Sequence, residues 1–190
     1  DLHGSIHSFP TRRSSDLLPT IRSRAVPLYL GPVPDEEMRQ FAAERKLDNA
    51  ERRIALAQGS PGLAVSIDLE AYDRRCEAML ALLETAAGLA PFASWVSYAE
   101  SPAARAEKLE PLLRTLYSLL SDILQLQYGG GKIRNMHVRQ RLAALAGRVS
   151  FRWMRKAVAK VDELAELVRR NIQKNIALDA LIMELRSGTA

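Results

Sequence analysis

The stretch Leu109-Glu110-Pro111-Leu112-Leu113-Arg114-Thr115-Leu116-Tyr117-Ser118-Leu119-Leu120-Ser121-Asp122-Ile123-Leu124 decides the fold class of this chain. Its large apolar residues stand at 109, 112, 113, 116, 119, 120, 123 and 124. That spacing of three and four is the period of an α-helix, whereas a half-buried strand would alternate. The apolar positions run almost all the way round the helix, so it has to be covered on most sides by other elements. Gly129-Gly130-Gly131 stops it.

Downstream, the same period returns in His137–Ala146, in Val149–Val161, and in a run through Leu164, Leu167 and Val168. Asn171, after Arg169-Arg170, suits a helix end with cations in its last turn. Ile176–Leu185 reads as a final amphipathic helix. Upstream, Leu69–Gly88 places Tyr72, Cys76, Met79, Leu80 and Leu83 on one face, and Pro91–Ala99 carries Phe92, Trp95, Val96 and Tyr98. Three short helices precede these. The first starts at Pro34-Asp35-Glu36-Glu37, with acids where the helix dipole favours them. The second spans Ala50–Ala57, with Asp48 as its expected cap, and the third opens at Leu63–Ile67 after the Gly59-Ser60-Pro61-Gly62 break. Before them, Val26-Pro27-Leu28-Tyr29-Leu30 is a short β-prone run ended by Gly31-Pro32.

Composition excludes several classes. The single cysteine, Cys76, rules out a disulfide or a cysteine-only zinc site within the chain, and its apolar helix makes it a buried structural thiol. No apolar run is long enough to span a bilayer, and the start has no apolar central region of a signal peptide, so the expected location is the cytoplasm, with no membrane partner. A net charge of +5 fits work near nucleic acid without establishing it. Gly129-Gly130-Gly131-Lys132-Ile133-Arg134 fails the phosphate-cradling pattern G-x-x-x-x-G-K-[ST] on spacing and lacks its Ser/Thr, so it reads as an interhelical loop. His137 has no second ligand nearby, and no metal site is expected. Trp95 and Trp153 sit among apolar neighbours and read as core or interface anchors rather than base-stacking platforms. Arg134, Arg139, Arg141, Arg148, Arg152, Arg155 and Lys156 form a basic stretch, most simply the solvated face of two helices.

One segment carries more specific information. Leu18-Pro19-Thr20-Ile21-Arg22-Ser23-Arg24-Ala25, bounded by the helix breakers Pro19 and Pro27, resembles the Ser-Arg-Cys signature of bacterial clamp-loader subunits, with Ala25 in place of the cysteine. Gly59-Ser60 resembles the turn of that family's lid, and Leu116–Asn135 resembles its leucine-rich segment ending in Gly-Gly and Asn. The segment Asn171–Leu181 is similar to its terminal "NVNPRLALEALL", with Gln173-Lys174 where the family has Asn-Pro. The resemblance covers Leu18 to the end in the expected order. It implies a mainly α chain: residues 18–32 ending an AAA+ nucleotide-binding domain with a strand remnant, a three-helix lid over 33–68, and a helical oligomerising collar over 69–190. The preceding strands of that ATPase fold are absent from the sequence, so this reading expects the C-terminal part of a longer protein.

The same resemblance implies roles. Arg24 would be an arginine finger acting in trans, supported by Ser23 and Arg22, on ATP and magnesium bound by a neighbouring subunit; no cofactor is expected in this chain itself. Its partners would be the motor-type (gamma/tau-like) and delta subunits of the ring, with sliding clamp and primer–template DNA reached through the complex during replication. ATP-hydrolysing members carry "GSLRDAL" in the lid, and its arginine falls on Gly62 here. That departure favours a subunit that keeps the finger without hydrolysing ATP itself. The alternatives are a fragment of a motor-type ATPase, or a basic all-α module that binds nucleic acid through Asn135–Lys160.

Residues 1–17 have no apolar period, and Ser8–Leu17 resembles translated sequencing adapter. They are expected to be a non-native or disordered leader. Deleting Asp1–Leu17 is expected to leave the thermal midpoint unchanged; a fall of several degrees, measured by circular dichroism, would show that the segment packs on the folded part.

Overall fold

The computed structural model describes residues 18–26, 31–101, 106–168 and 173–187. The chain divides into two units, residues 1–32 and residues 33–190. In the first, the described part is a single helical turn, α1 (Pro19–Arg22), and its flanks. Pro19 occupies the start of this turn, where a missing N–H costs nothing. The proline therefore begins a helix here, where its reading as a helix breaker gave none. Of the expected strand, Val26 is exposed and extended from no sheet, and 27–30 lie outside the described residues. Among the described residues there is no strand.

The second unit is entirely helical among its described residues. Its helices are α2 (Asp35–Glu44), α3 (Ala50–Ala57), α4 (Pro61–Ser66), α5 (Leu69–Ala86), α6 (Phe92–Ala99), α7 (Leu109–Tyr128), α8 (Arg139–Arg148), α9 (Phe151–Leu167) and α10 (Lys174–Arg186). A 3₁₀ turn, Met136–Val138, leads into α8. The expected ends of Asn171 fall outside the described residues.

Two hydrophobic clusters divide this unit. The smaller joins α2, α3 and α4 through Met38, Ala42, Ile54, Ala57 and Ala64. Three of those five are alanines, so apolar burial gives it little, and Arg53 adds polar ties. Its guanidinium donates to the Ala64 and Ile67 carbonyls at 3.1 and 2.7 Å, closing the end of α4, and to the Asp48 carbonyl at 2.9 Å. Asp48 is not the cap of α3. Asn49, in a left-handed conformation, stands between Asp48 and the helix, and the Asp48 carboxylate is taken by Arg53 at 3.0 Å. Ser60 caps α4, its Oγ accepting from the Leu63 N–H at 3.3 Å, so that helix begins at Pro61 rather than Leu63.

The larger cluster is built on α7, which packs against α5, α8 and α9; α5 in turn packs against α6 and α10. Leu112, Leu113, Leu116, Leu119, Leu120 and Ile123 of α7 are all buried, as an apolar surface running round a helix requires. Helix α5 starts on Asp68, whose carboxylate accepts from the Ala71 N–H at 2.9 Å, and ends at Gly88 with φ +74°. There Leu89 N–H reaches the Glu84 carbonyl at 2.8 Å and Gly88 N–H that of Thr85 at 3.2 Å, the paired bonds that stop a helix on a left-handed glycine. Cys76 is fully buried in α5, and burial pushes its thiol up to about 12, which removes the thiolate at neutral pH. Trp95 and Trp153 are core residues at 2% exposure, and the Trp95 indole donates to Asp179 at 2.6 Å. No helix among the described residues is long and apolar enough to cross a membrane.

Leu120 sits at the centre of this core, 1% exposed. Leu120→Ala is expected to cost about 2–5 kcal/mol in urea unfolding, the loss of a buried leucine plus its cavity. A cost near zero would show that α7 is not the core helix.

Candidate functional site

In the signature segment, the turn α1 ends on Ser23, whose N–H donates to the Pro19 carbonyl at 3.0 Å. The Ser23 hydroxyl donates to the Thr20 carbonyl at 3.2 Å, and Arg24 N–H to that of Ile21 at 3.1 Å. Both hydrogen bonds are local, so Ser23 acts as the clasp of the turn and Arg24 leaves it as the next residue. Arg24 is exposed, as are Leu18, Ile21 and Val26 beside it. The side chain of Arg22 lies outside the described residues. Arg24 thus presents an exposed, permanently charged guanidinium beside a short clasped turn.

The expected lid turn belongs to the second unit. Gly59 has φ +78°, and its carbonyl accepts from Val33 N–H at 2.8 Å, tying the entry of this unit to the turn. Gly62 lies in the first turn of α4 with nothing within 4 Å of where a Cβ would stand. An arginine would therefore fit at this position, and packing does not explain its absence.

A polar centre that sequence reasoning missed lies under the loop after α7. Asp122, on the otherwise apolar α7, is fully buried. Its carboxylate accepts from the backbone N–H groups of Arg134 and Asn135 at 3.0 and 2.8 Å, and from the Asn135 side-chain amide at 2.8 Å. The Asn135 amide oxygen in turn accepts from the Tyr72 hydroxyl at 2.8 Å, and its Nδ2 donates to Ser118 Oγ at 3.0 Å. Asn135 is the residue at which the leucine-rich resemblance ends. Asp122 gave no signal beyond being the acid in an apolar run. Burial pushes the Tyr72 hydroxyl up to about 12, against the opposing effect of its bond to Ser118.

The basic stretch does not form one face. Arg141 is committed to Glu84 through a pair of bonds at 2.8 and 2.9 Å, and to Glu77 at 2.6 Å. Arg148 donates to the Ala87 carbonyl, and Lys156 to that of Glu184. His137 stands 3.4 Å from the Arg52 guanidinium and 3.5 Å from Asp73, whose ion pair with Arg52 joins α3 to α5. Burial, then Arg52, lower the His137 imidazole below its ordinary value. Only Arg139, Arg152 and Arg155 of the stretch combine exposure with the lack of any hydrogen bond or ion pair among the described residues. No group of acids, histidines and cysteines among the described residues could hold a metal ion.

No family model matches the chain. Over 147 residues it is 28% identical to DNA polymerase III subunit delta' of Escherichia coli (strain K12), a match that covers 74% of this chain and 41% of that protein. The chain thus spans less than half the length of that relative.

The buried carboxylate makes a definite expectation. Asp122→Ala strips three donors of their acceptor and is expected to cost on the order of 3 kcal/mol in denaturant unfolding. Tyr72→Phe should cost about 1 kcal/mol, the net worth of a neutral hydrogen bond. Because the folded Tyr72 holds its proton to about 12 against 10.0 for the free side chain, its contribution is present below pH 10 and lost as pH rises to 12. Tyr72→Phe should therefore lessen the fall in stability over that window; an unchanged alkaline profile would show that Tyr72 is not held neutral by the fold.

Proposed function

We propose that this chain is part of a delta'-like subunit of a bacterial clamp loader, comprising its finger segment, lid and collar. The observation that carries this reading is the similarity to DNA polymerase III subunit delta', together with the order of the three resembling segments from Leu18 to Leu181. The mainly helical second unit, with a small three-helix cluster preceding a larger bundle, is consistent with a lid followed by a collar. In this reading the protein is not a free-standing catalyst. It completes a ring with gamma/tau and delta subunits around primer–template DNA, and assists ATP hydrolysis on its neighbour so that the sliding clamp is loaded.

Arg24 carries the chemistry of the proposal. Charge spreads over the transferring phosphoryl oxygens in the transition state, and a planar, always-charged guanidinium neutralises it there. The exposure of Arg24 suits an action on a neighbour's nucleotide. Gly62 supports a subunit that does not contact a nucleotide of its own from the lid, since an arginine there would be sterically free.

The test uses the full-length protein assembled with its partner subunits. Arg24→Ala should lower DNA-stimulated ATP turnover while leaving ring assembly and nucleotide affinity nearly intact. Arginine fingers are worth about 10³–10⁵ in rate at one site in GTPases, but a ring with several sites should show a partial loss. Arg22→Ala should do less, and Arg24→Lys should not rescue fully, because lysine keeps the charge without the planar fork. Dissociation of the ring with unchanged turnover per site would make Arg24 an interface contact instead.

A further inference from the structure

Tyr128, the last residue of α7, and Phe151, the first of α9, are 65% and 59% exposed. Their rings meet edge to face, with centroids 6.1 Å apart and planes at 86°. Single exposed apolar side chains are ordinary, but two aromatic rings in contact and open to solvent are a surface feature. The pair is also fixed. Gln127, the neighbour of Tyr128, donates its side-chain amide to the carbonyls of Ala146 and Val149 at 2.9 and 2.6 Å, tying the end of α7 to the junction before α9. On the other side Gly129 and Gly130 take φ +75° and +99°, and a Cβ at either would meet nothing within 4 Å. The two residues that follow Tyr128 therefore have open space beside them.

The chain on either side of this pair carries charge of one sign. From residue 123 to 161 the chain contains nine lysines and arginines and no aspartate or glutamate. Several of these cations are committed elsewhere: Arg141 to Glu77 and Glu84, Lys160 to Glu163 and Glu184, and Lys132 to Asp35. Arg152 and Arg155 are exposed and have no partner among the described residues. Arg155 follows Phe151 by one helical turn and so shares its face of α9, and Arg152 adjoins it.

We propose that Tyr128 and Phe151, with Arg152 and Arg155, form a stacking platform for the bases of single-stranded nucleic acid. A flat π-face open to solvent takes an unpaired base whatever its identity, and neighbouring guanidinium groups take the phosphates between bases. Duplex bases are already stacked and offer the rings nothing but a helix end. An acidic protein surface would use the arginines but give the rigid pair of rings no flat partner. This inference stands apart from the assignment of Arg24, since neither site contributes a residue to the other.

The experiment titrates the 190-residue chain against fluorescently labelled oligothymidylate of about 16 nucleotides, a length within the range one such site covers. A duplex and an abasic oligomer of equal length are titrated beside it. The single strand should bind tightest, and Tyr128→Ala with Phe151→Ala should weaken it about tenfold or more, as the loss of base stacking does. Tyr128→Phe should keep the affinity, and Phe151→Leu, which stays apolar without the ring, should lose part of it. Arg152→Gln with Arg155→Gln should flatten the salt slope by about 1.4, roughly 0.7 for each cation removed. Both rings are exposed, so the thermal midpoints should not move. The proposal is overturned if the abasic oligomer binds as well as the thymidylate, if ring loss leaves the affinity unchanged, or if no single strand binds at low salt. Polyglutamate binding as tightly as oligothymidylate would equally overturn it and assign the surface to an acidic protein.

Discussion

A carboxylate buried in the middle of a leucine-rich helix ties the loop after α7 and helix α5 to the larger core. The apolar surface of α7 runs round the helix, so α5, α8 and α9 must cover it, and the chain must turn back across α7 to supply two of them. That return brings the backbone N–H groups of Arg134 and Asn135 under cover, where an unpaired donor is expensive. Asp122 answers both donors and the Asn135 amide, and the three hydrogen bonds are what make a fully buried charge tolerable. Through Asn135 the same centre reaches Tyr72 and so fixes α5 against α7. One acid thereby sets the register of the two longest packed helices and the path between α7 and α8.

The small α2–α4 cluster illustrates the opposite regime. Its apolar residues are few and mostly alanine, so it cannot bury enough surface to be independent of other forces. Arg53, whose side chain is 12% exposed, closes the end of α4 and holds the loop before α3. Arg52, on the next face of the same helix, pairs with Asp73 and anchors the cluster to α5. Two adjacent arginines thus do different work: one binds the cluster internally, the other attaches it. A polar scaffold of this kind is more easily disturbed than the α7 core, because each bond is individually modest in free energy.

These two regimes decide what was legible in the sequence. Helices with a strong apolar period were readable nearly to their ends, since burial of α5, α7 and α9 follows directly from spacing. Cys76, Trp95 and Trp153 were readable as core for the same reason. Caps were less so. Asp48 has the right chemistry for a cap, but the left-handed Asn49 and the reach of Arg53 redirect it, and neither is visible in a local pattern. Pro19 was misjudged as only a breaker, although the first position of a helix is where proline costs least. Asp122 was illegible because its partners come from residues twelve and thirteen positions on, and nothing local says that the chain folds back. Arg24 and the Gly59-Ser60-Pro61-Gly62 turn stand out by resemblance alone, because an exposed arginine on one turn carries no signature in its own geometry.

The basic stretch shows why a charge count over sequence is a poor guide to a surface. Read along the chain, the arginines between Asn135 and Val161 are equivalent. In the fold they separate by what they meet. Arg141 faces two glutamates of α5 and is drawn into a paired guanidinium–carboxylate contact that holds α8 against α5. The attraction raises its affinity for its proton further still, so it is a fixed strut rather than a free charge. Arg148 and Lys156 are spent on carbonyls at helix ends, the groups a helix leaves without partners. Arg152 and Arg155 meet neither, because the buried side of α9 is taken by Trp153, Met154, Ala157 and Val161, and Arg139 at the start of α8 is likewise exposed without a partner among the described residues. Within this stretch the cations left without a neutralising partner are therefore these few, and Arg152 and Arg155 lie where the core leaves α9 uncovered. Packing, by choosing which cations are neutralised, determines the electrostatic surface as much as composition does.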